Sequence, residues 1–284
     1  MVLGAAMADP APTATLPADV PSLADSGAVR RRNTALFVNF FRRELTTRYL
    51  GSTTGLLWAL LHPLALLGVY HFVFTTVFRT RGFGAQSFLL FVAVALWPWL
   101  ATQEGVQRGT VSLANYAGLI RKVAFPHEIA VYASVAATFT LHLVGYVFVL
   151  IVLAIFGEPV HFEGVVLAMP VWLVLALATA GLALALSALQ VFIRDVEHVL
   201  MPVLMILMYL TPILYPLTLV PESLRPWVAA NPFAWVVDRL RAALLDGRLA
   251  LEWSDGIAVV VAAALFVGGR WMFRRLSPYF EDFV

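Results

Sequence analysis

Residues 165–193 read VVLAMPVWLVLALATAGLALALSALQVFI and stop at Arg194 and Asp195. A helix rises about 1.5 Å per residue, so this run outlasts the roughly 30 Å of hydrocarbon in a bilayer. No charged residue interrupts it, and it is apolar all round rather than striped, which a surface helix of a soluble domain would not be. The stretch is a membrane span.

The pattern repeats outward in both directions. Apolar runs of roughly 17 to 29 residues, separated by short charged hinges, predict spans over Leu56 to Phe78, Phe88 to Val106, Ile129 to Phe156, Val165 to Ile193, Val199 to Leu219 and Ile257 to Phe273. Composition agrees: 61% hydrophobic and 13% charged residues, against about 25% charged in a soluble domain, with a mean hydropathy of +0.85. Six spans use nearly all of the 284 residues, so no separate soluble catalytic domain fits. Cysteine is absent, which excludes a disulfide framework, a thiolate metal site and a cysteine nucleophile.

An even number of spans puts both termini on one side. Thirteen of the nineteen Lys and Arg fall there: Arg30, Arg31, Arg32, Arg42, Arg43, Arg48, Arg108, Arg121, Lys122, Arg194, Arg270, Arg274 and Arg275. By the positive-inside rule that side is cytoplasmic. Arg79 and Arg81 oppose the assignment locally, while the loop from Glu158 to Glu163, which lacks Lys and Arg, supports it.

Residues 1–29, rich in Ala, Pro, Asp, Ser and Thr, are expected to form a disordered cytoplasmic tail, with a membrane domain over 30–284. After the three arginines, Asn33 is a helix N-cap signal. Phe37, Phe41, Leu45 and Tyr49 then recur every four residues, Phe40 widens the stripe, and Asn39, Arg42, Arg43 and Thr46 occupy the other face. Such a helix lies in the membrane interface or packs against protein. Between Leu219 and Ile257, Pro221, Pro226 and Pro232 break the chain. Phe233, Val236, Val237, Leu240 and Leu244 form a stripe opposed by Asp238, Arg239 and Arg241. A short re-entrant helix pair dipping into the outer face, capping or lining a conduit, fits this pattern; a loop lying on the headgroups is the alternative.

The chain contains neither G-x-x-x-x-G-K-[ST] nor H-E-x-x-H, so neither a phosphate-cradling ATPase loop nor a zinc protease helix is present. The ionisable residues within the spans, Glu104, His62, His71 and His142, form no repeated acidic relay. Glu104 stands one turn before Arg108 and invites an i,i+4 ion pair, and the histidines invite helix-packing hydrogen bonds. No metal and no nucleic acid partner is expected.

Aromatics carry more information. Trp58, Tyr70, Trp97, Trp99, Tyr146, Tyr209, Phe233 and Trp235 include several at depths where an interfacial belt has no use for them. Aromatic faces pack on the C–H faces of sugar rings, so these residues are candidates for a glycan path; helix packing is the competing role. On the inner side, Thr110 to Lys122 after Gly109 reads as a short helix closed by Arg121 and Lys122 and stopped by Phe125-Pro126. A rigid helix there is a handle for a partner, or a plain connector.

Arg48-Tyr49-Leu50-Gly51-Ser52, Leu56-Leu57-Trp58-Ala59-Leu60-Leu61-His62-Pro63, Asn115, Leu119-Ile120-Arg121-Lys122-Val123, Phe125-Pro126 and the ending Phe273-Arg274-Arg275-Leu276-Ser277-Pro278-Tyr279-Phe280 together resemble permease subunits of type-2 ABC exporters for polysaccharides. The likeness runs from about Leu36 to Val284 and is strongest to O-antigen and teichoic-acid exporter permeases. It implies a homodimer of six-span permeases in the cytoplasmic (inner) membrane, bound to two copies of a separate ABC ATPase that holds ATP and Mg, with no cofactor in this chain. It also implies that Asn33 to Leu50 and Val111 to Lys122 meet the ATPase, with Asn115, Tyr116, Arg121, Lys122, Phe125 and Pro126 as coupling candidates. The cargo it implies is an undecaprenyl-pyrophosphate-linked or related lipid-linked glycan moving outward past Pro221 to Leu245. Arg42, Arg43 and Arg48 could then meet the pyrophosphate at the membrane surface, or serve only as topology signals. The fold expected is all-α: six spans, an N-terminal interface helix and re-entrant outer helices. A drug, lipid or small-molecule ABC efflux permease is the first rival. A membrane glycosyltransferase or ligase, with only Glu222, Asp238, Arg239 and Arg241 as catalytic candidates, is the second.

Overall fold

The computed structural model describes residues 23–49, 55–79, 87–120, 125–248 and 250–283. Every regular element among them is helical. They are α1 (Leu23–Tyr49), α2 (Gly55–His71) continuing as a π-helix (Phe72–Val77), α3 (Phe88–Asn115), α4 (Ala117–Ile120), α5 (Glu128–Ile155), α6 (Glu163–Phe192), α7 (Val196–Leu210), α8 (Arg225–Ala229), α9 (Pro232–Leu244), α10 (Trp253–Leu276) and α11 (Phe280–Phe283). Four of the described helices, α3, α5, α6 and α10, are long and apolar enough to cross a membrane. Their bounds follow the sequence expectation at most ends, because charge and turn chemistry mark where an apolar helix must stop. After α5, Gly157 at φ 90° lets the amides of Gly157 and Glu158 reach back to the carbonyls of Ala154 and Leu153, the paired bonds that close a helix in a left-handed turn.

Three expectations need correction. The fifth apolar run does not stay helical to Leu219: α7 ends at Leu210, because Thr211 precedes Pro212 and is driven to extended backbone at ψ 140°. The loop helix does not begin after Gly109. Gly109 is instead buried inside α3, where a Cβ would lie 2.5 Å from that of Ala183 on α6, and α3 runs on to Asn115 before turning at Tyr116. Finally, α1 starts at Leu23, ahead of the expected cap at Asn33. Residues 1–22 of the expected tail lie outside the described residues.

At the centre stands α3, most of whose span is buried between α5 and α6. Helix α10 packs along α6 with most of its surface open, as suits a helix facing lipid. The contact is backbone to backbone: a Cβ on Gly269 would lie 2.0 Å from the Gly181 carbonyl oxygen. Small residues that let helices approach this closely replace the hydrophobic drive that lipid removes. At one end of the bundle Ser87 caps α3, accepting from the Leu90 amide at 3.2 Å while its hydroxyl donates to Glu158 at 2.6 Å. That end also carries α8 and α9. Asn231 caps α9, accepting from the Phe233 amide at 2.9 Å, and its amide donates to Thr211 at 2.8 Å, fixing α9 to the end of α7.

Candidate functional site

At the opposite end the two ends of the described chain meet through aromatic rings. Phe40 of α1 stands edge-on to Tyr116 at 4.7 Å and packs on Phe125 at 5.4 Å. Phe125 touches His127, His127 leads to Phe280, and Phe280 meets Phe273 of α10 and Phe192 of α6. Thus α1 is docked on protein through Phe40, the residue that widened its apolar stripe, while Arg42 and Arg43 stay exposed. The Arg43 guanidinium lies 4.9 Å from the Tyr116 ring centre, and the Tyr116 hydroxyl donates to Glu44 at 3.0 Å. Burial, and after it the Glu44 carboxylate, pushes the Tyr116 phenol well above its ordinary range against the opposing pull of Arg43, so it remains a donor at neutral pH. Of the coupling candidates, Tyr116 and Phe125 are buried in this cluster, whereas Asn115 and Pro126 are exposed at its edge. Arg121 and Lys122 lie outside the described residues, as does the side chain of Arg48.

The same end holds a connection that the sequence did not point to. Glu128, in the first turn of α5, accepts from Arg270 at 3.2 Å and Arg274 at 2.5 Å on α10, and Tyr132 donates to it at 3.3 Å. In the sequence Arg270 and Arg274 read as topology signals, Arg274 also as part of the family-like ending; their partner is far away in sequence, and no local spacing reveals it.

Among the path candidates the bundle divides the aromatics in two. Trp97, Trp99, Tyr146 and Phe233 are buried within the single chain. The Tyr146 hydroxyl donates to the Val94 carbonyl at 2.9 Å and its ring packs on Trp172 at 5.3 Å; Trp99 meets Phe233 edge-on at 4.9 Å and donates to Gln103 at 3.2 Å. In this arrangement those four rings have packing partners and offer no face to a passing molecule. Tyr70, Tyr209 and Trp235 retain accessible surface. Trp58 lies in α2, with its side chain outside the described residues. Replacing Tyr146 with Phe should therefore lower thermal stability by about 1 kcal/mol, the net worth of one buried hydrogen bond, with transport per assembled complex unchanged. A loss of transport at full stability would instead put that hydroxyl in the path.

On α9 the expected polar face holds for Asp238 alone. Arg239 is buried, its fork gripping Asp255 at 2.7 Å through both Nε and Nη2, with Nη1 reaching Glu252 and the Ala250 carbonyl at 3.1 Å. The Arg241 guanidinium sits 3.4 Å above the Phe91 ring centre and donates to the Ile213 carbonyl at 2.9 Å. Both cations point inward because α9 packs against α3 and α6 on one flank and beside the start of α10 on the other. Neither is arranged for chemistry, since each is held by fixed protein groups. The described residues contain no metal-binding cluster.

Comparison with known proteins agrees with this architecture. The chain is 30% identical over 249 residues to the O-antigen export system permease protein RfbA of Myxococcus xanthus, covering 87% of this chain and 92% of that one. It is 26% identical over 248 residues to the protein of the same name from Klebsiella pneumoniae, covering 87% and 94%. It is 22% identical over 233 residues to the polysialic acid transport protein KpsM of Escherichia coli, covering 80% and 88%. Residues 35–245, from α1 to the close of α9, match the ABC-2 type transporter family, and the chain belongs to that family.

Proposed function

We propose that this chain is the permease subunit of an ABC transporter that carries a lipid-linked polysaccharide, an O-antigen or related glycan, outward across the cytoplasmic membrane. The observation that carries the reading is the 30% identity to an O-antigen export permease over 92% of that relative's length. ATP, with Mg, is hydrolysed in a separate subunit, since the chain has no phosphate-cradling loop. Two permeases pair with two ATPases.

Six spans complete the layout. Gly55–Val77 supplies one more crossing, long enough at about 1.5 Å per residue, and α7 the other. Fifteen residues make α7 about 22 Å long, so the dip of α8 and α9 beside its end makes up the remaining depth. Both termini are cytoplasmic. There α1 and the Asn115–Pro126 segment, Arg121 and Lys122 included, form the seat for the ATPase, and Arg42, Arg43 and Arg48 receive the pyrophosphate of the cargo. Tyr70, Tyr209 and Trp235, with Trp58, offer rings along the way.

Deleting the gene in its own host should abolish surface polysaccharide and leave lipid-linked polymer inside the cell, with restoration by the wild-type gene and unchanged sensitivity to small toxic compounds. The purified chain alone should hydrolyse no ATP. Normal surface glycan in the deletion strain overturns the reading, and drug sensitivity with normal glycan assigns the efflux role in its place.

A further inference from the structure

The inner half of α3 has two unlike faces. Ala101, Thr102, Gly105, Val106, Gly109 and Thr110 are buried; a Cβ on Gly105 would come within 3.0 Å of Thr179 on α6 and 3.2 Å of Phe139 on α5. Gln103, Glu104, Gln107 and Arg108 fall at i, i+1, i+4 and i+5 on the other face, and all four remain accessible. The strip lies between α5 and α7: His142 of α5 bonds Glu104 at 2.7 Å, and the Gln107 amide donates to the Met201 sulfur of α7. Glu104 also pairs with Arg108, so the carboxylate is countered by a cation one turn away.

Counting about 1.5 Å per residue from Phe88, the strip runs from near 22 Å at Gln103 to about 30 Å at Arg108, the inner third of a helix that crosses the membrane. Lipid is excluded as its neighbour. Gln103 and Glu104 facing hydrocarbon at that depth would each be unfavourable, and Gln107 and Arg108 continue the same face to the inner boundary, so the face meets protein or water. A second copy pressed against it would bury an ion pair and two amides from each side, and the exposed Met201 beside Gln107 offsets only part of that desolvation.

We propose that this strip is the polyol-binding wall of a water-filled path, with Gln103 and Gln107 hydrogen-bonding the hydroxyl groups of the passing glycan. An amide donates and accepts at once, as a sugar hydroxyl does, so each can exchange partners along a repeating polymer. The Glu104–Arg108 pair, braced by His142, keeps the wall near neutral and prevents it from trapping the chain by charge. The glycan part of the proposal rests on the export reading above; the water-filled face does not.

The absence of native cysteine makes the test direct. Gln103→Cys and Gln107→Cys, each in the assembled transporter in membrane vesicles, are treated with a charged, membrane-impermeant thiosulfonate. Leu173→Cys on the open apolar face of α6 serves as the lipid-facing control, 71% exposed in the single chain. A thiol in apolar surroundings does not ionise and reacts slowly, so both test positions should react at least about tenfold faster than the control. Accumulated lipid-linked polysaccharide should slow that reaction. Rates equal to the control overturn the proposal, as does spontaneous cross-linking of two Gln107→Cys copies without reagent access, which makes the strip an interface. Rapid labelling with no protection by the glycan overturns the polyol assignment. Gln103→Leu and Gln107→Leu form a second arm for the case in which a cysteine variant does not assemble: each should reduce export at wild-type dimer yield, and Asn in either place should restore part of it. Full export by the double Leu variant removes the strip from glycan contact. A transporter whose wild type moves no glycan, yet whose two cysteines label rapidly, locates the fault in the export reading and not in the path.

Discussion

Replacing Arg239 with Ala should destabilise the folded transporter by about 3 to 5 kcal/mol, the range for removing one member of a buried ion pair. The guanidinium is 6% exposed and Asp255 22%, so the loss belongs at the lower end of that range. Asp255 has two further duties that depend on its position: it accepts from the Trp235 indole at 3.0 Å, and it accepts from the Glu252 amide at 2.9 Å as one half of the capping box that opens α10. Without Arg239 that carboxylate is left half-desolvated beside an indole and one amide. The first consequence is local. Helix α9 should lose its anchor to α10 before the bundle fails, so hydrogen exchange should rise over residues 232–255 ahead of global unfolding. Arg239→Lys should recover only part of the loss, because an ammonium cannot reproduce two parallel bonds to one carboxylate. In a double-mutant cycle, Arg239→Ala with Asp255→Ala should fall short of the sum of the single losses by about 1 to 3 kcal/mol. Strict additivity of the two would show that the pair contributes nothing jointly.

Gly269→Val should be at least as damaging, and Gly268→Val next to it should be tolerated. A Cβ on Gly269 meets the Gly181 carbonyl oxygen at 2.0 Å, its carbon at 2.8 Å and its Cα at 3.1 Å, all backbone atoms that no rotamer change can move. One turn earlier on α10 the approach is also too close for a side chain, a Cβ on Gly181 lying 2.5 Å from the Leu265 carbonyl group. Accommodation requires α6 and α10 to part along their length. Overpacking a core by a few methyl groups costs about 1 to 3 kcal/mol when side chains can yield, and here they cannot, so a loss at or above the top of that range is expected. At Gly268 nothing lies within 4 Å, so valine there enters open space. Folded yield and unfolding midpoint of the two variants in detergent provide the comparison; equal behaviour would mean that the helices do not cross at this glycine.

Much of the bundle was legible in the residues. The apolar runs gave helices α5, α6 and α10 nearly to their ends and the start of α3, because in hydrocarbon the backbone must satisfy its own hydrogen bonds and only a helix of sufficient length can do so. The Glu104–Arg108 pair was readable from its one-turn spacing. Errors arose where one short-range signal outweighed another: the apolar character of residues 211–219 suggested a longer α7, but Thr211 before Pro212 ended the helix, and Gly109 suggested a break where it was needed for close packing on Ala183.

By itself the sequence determined membrane residence, the helical class, the absence of an internal ATPase loop and the resemblance that the comparisons bear out, since these depend on composition, length and local motif. Only the tertiary structure decided which face of each helix matters. Trp97, Trp99 and Tyr146 read as candidates for a path and lie inside the protein, while Gln103 and Gln107, on α3 with the two tryptophans, remain open. Arg239 read as part of the polar face of a re-entrant helix and is clamped by Asp255; Glu128 and Phe280 gained partners far along the chain. The reason is physical: a helix apolar on all sides has no stripe to orient it, so its rotation is set by which neighbours its small residues admit, and that is a property of the packed bundle and not of any one run of residues.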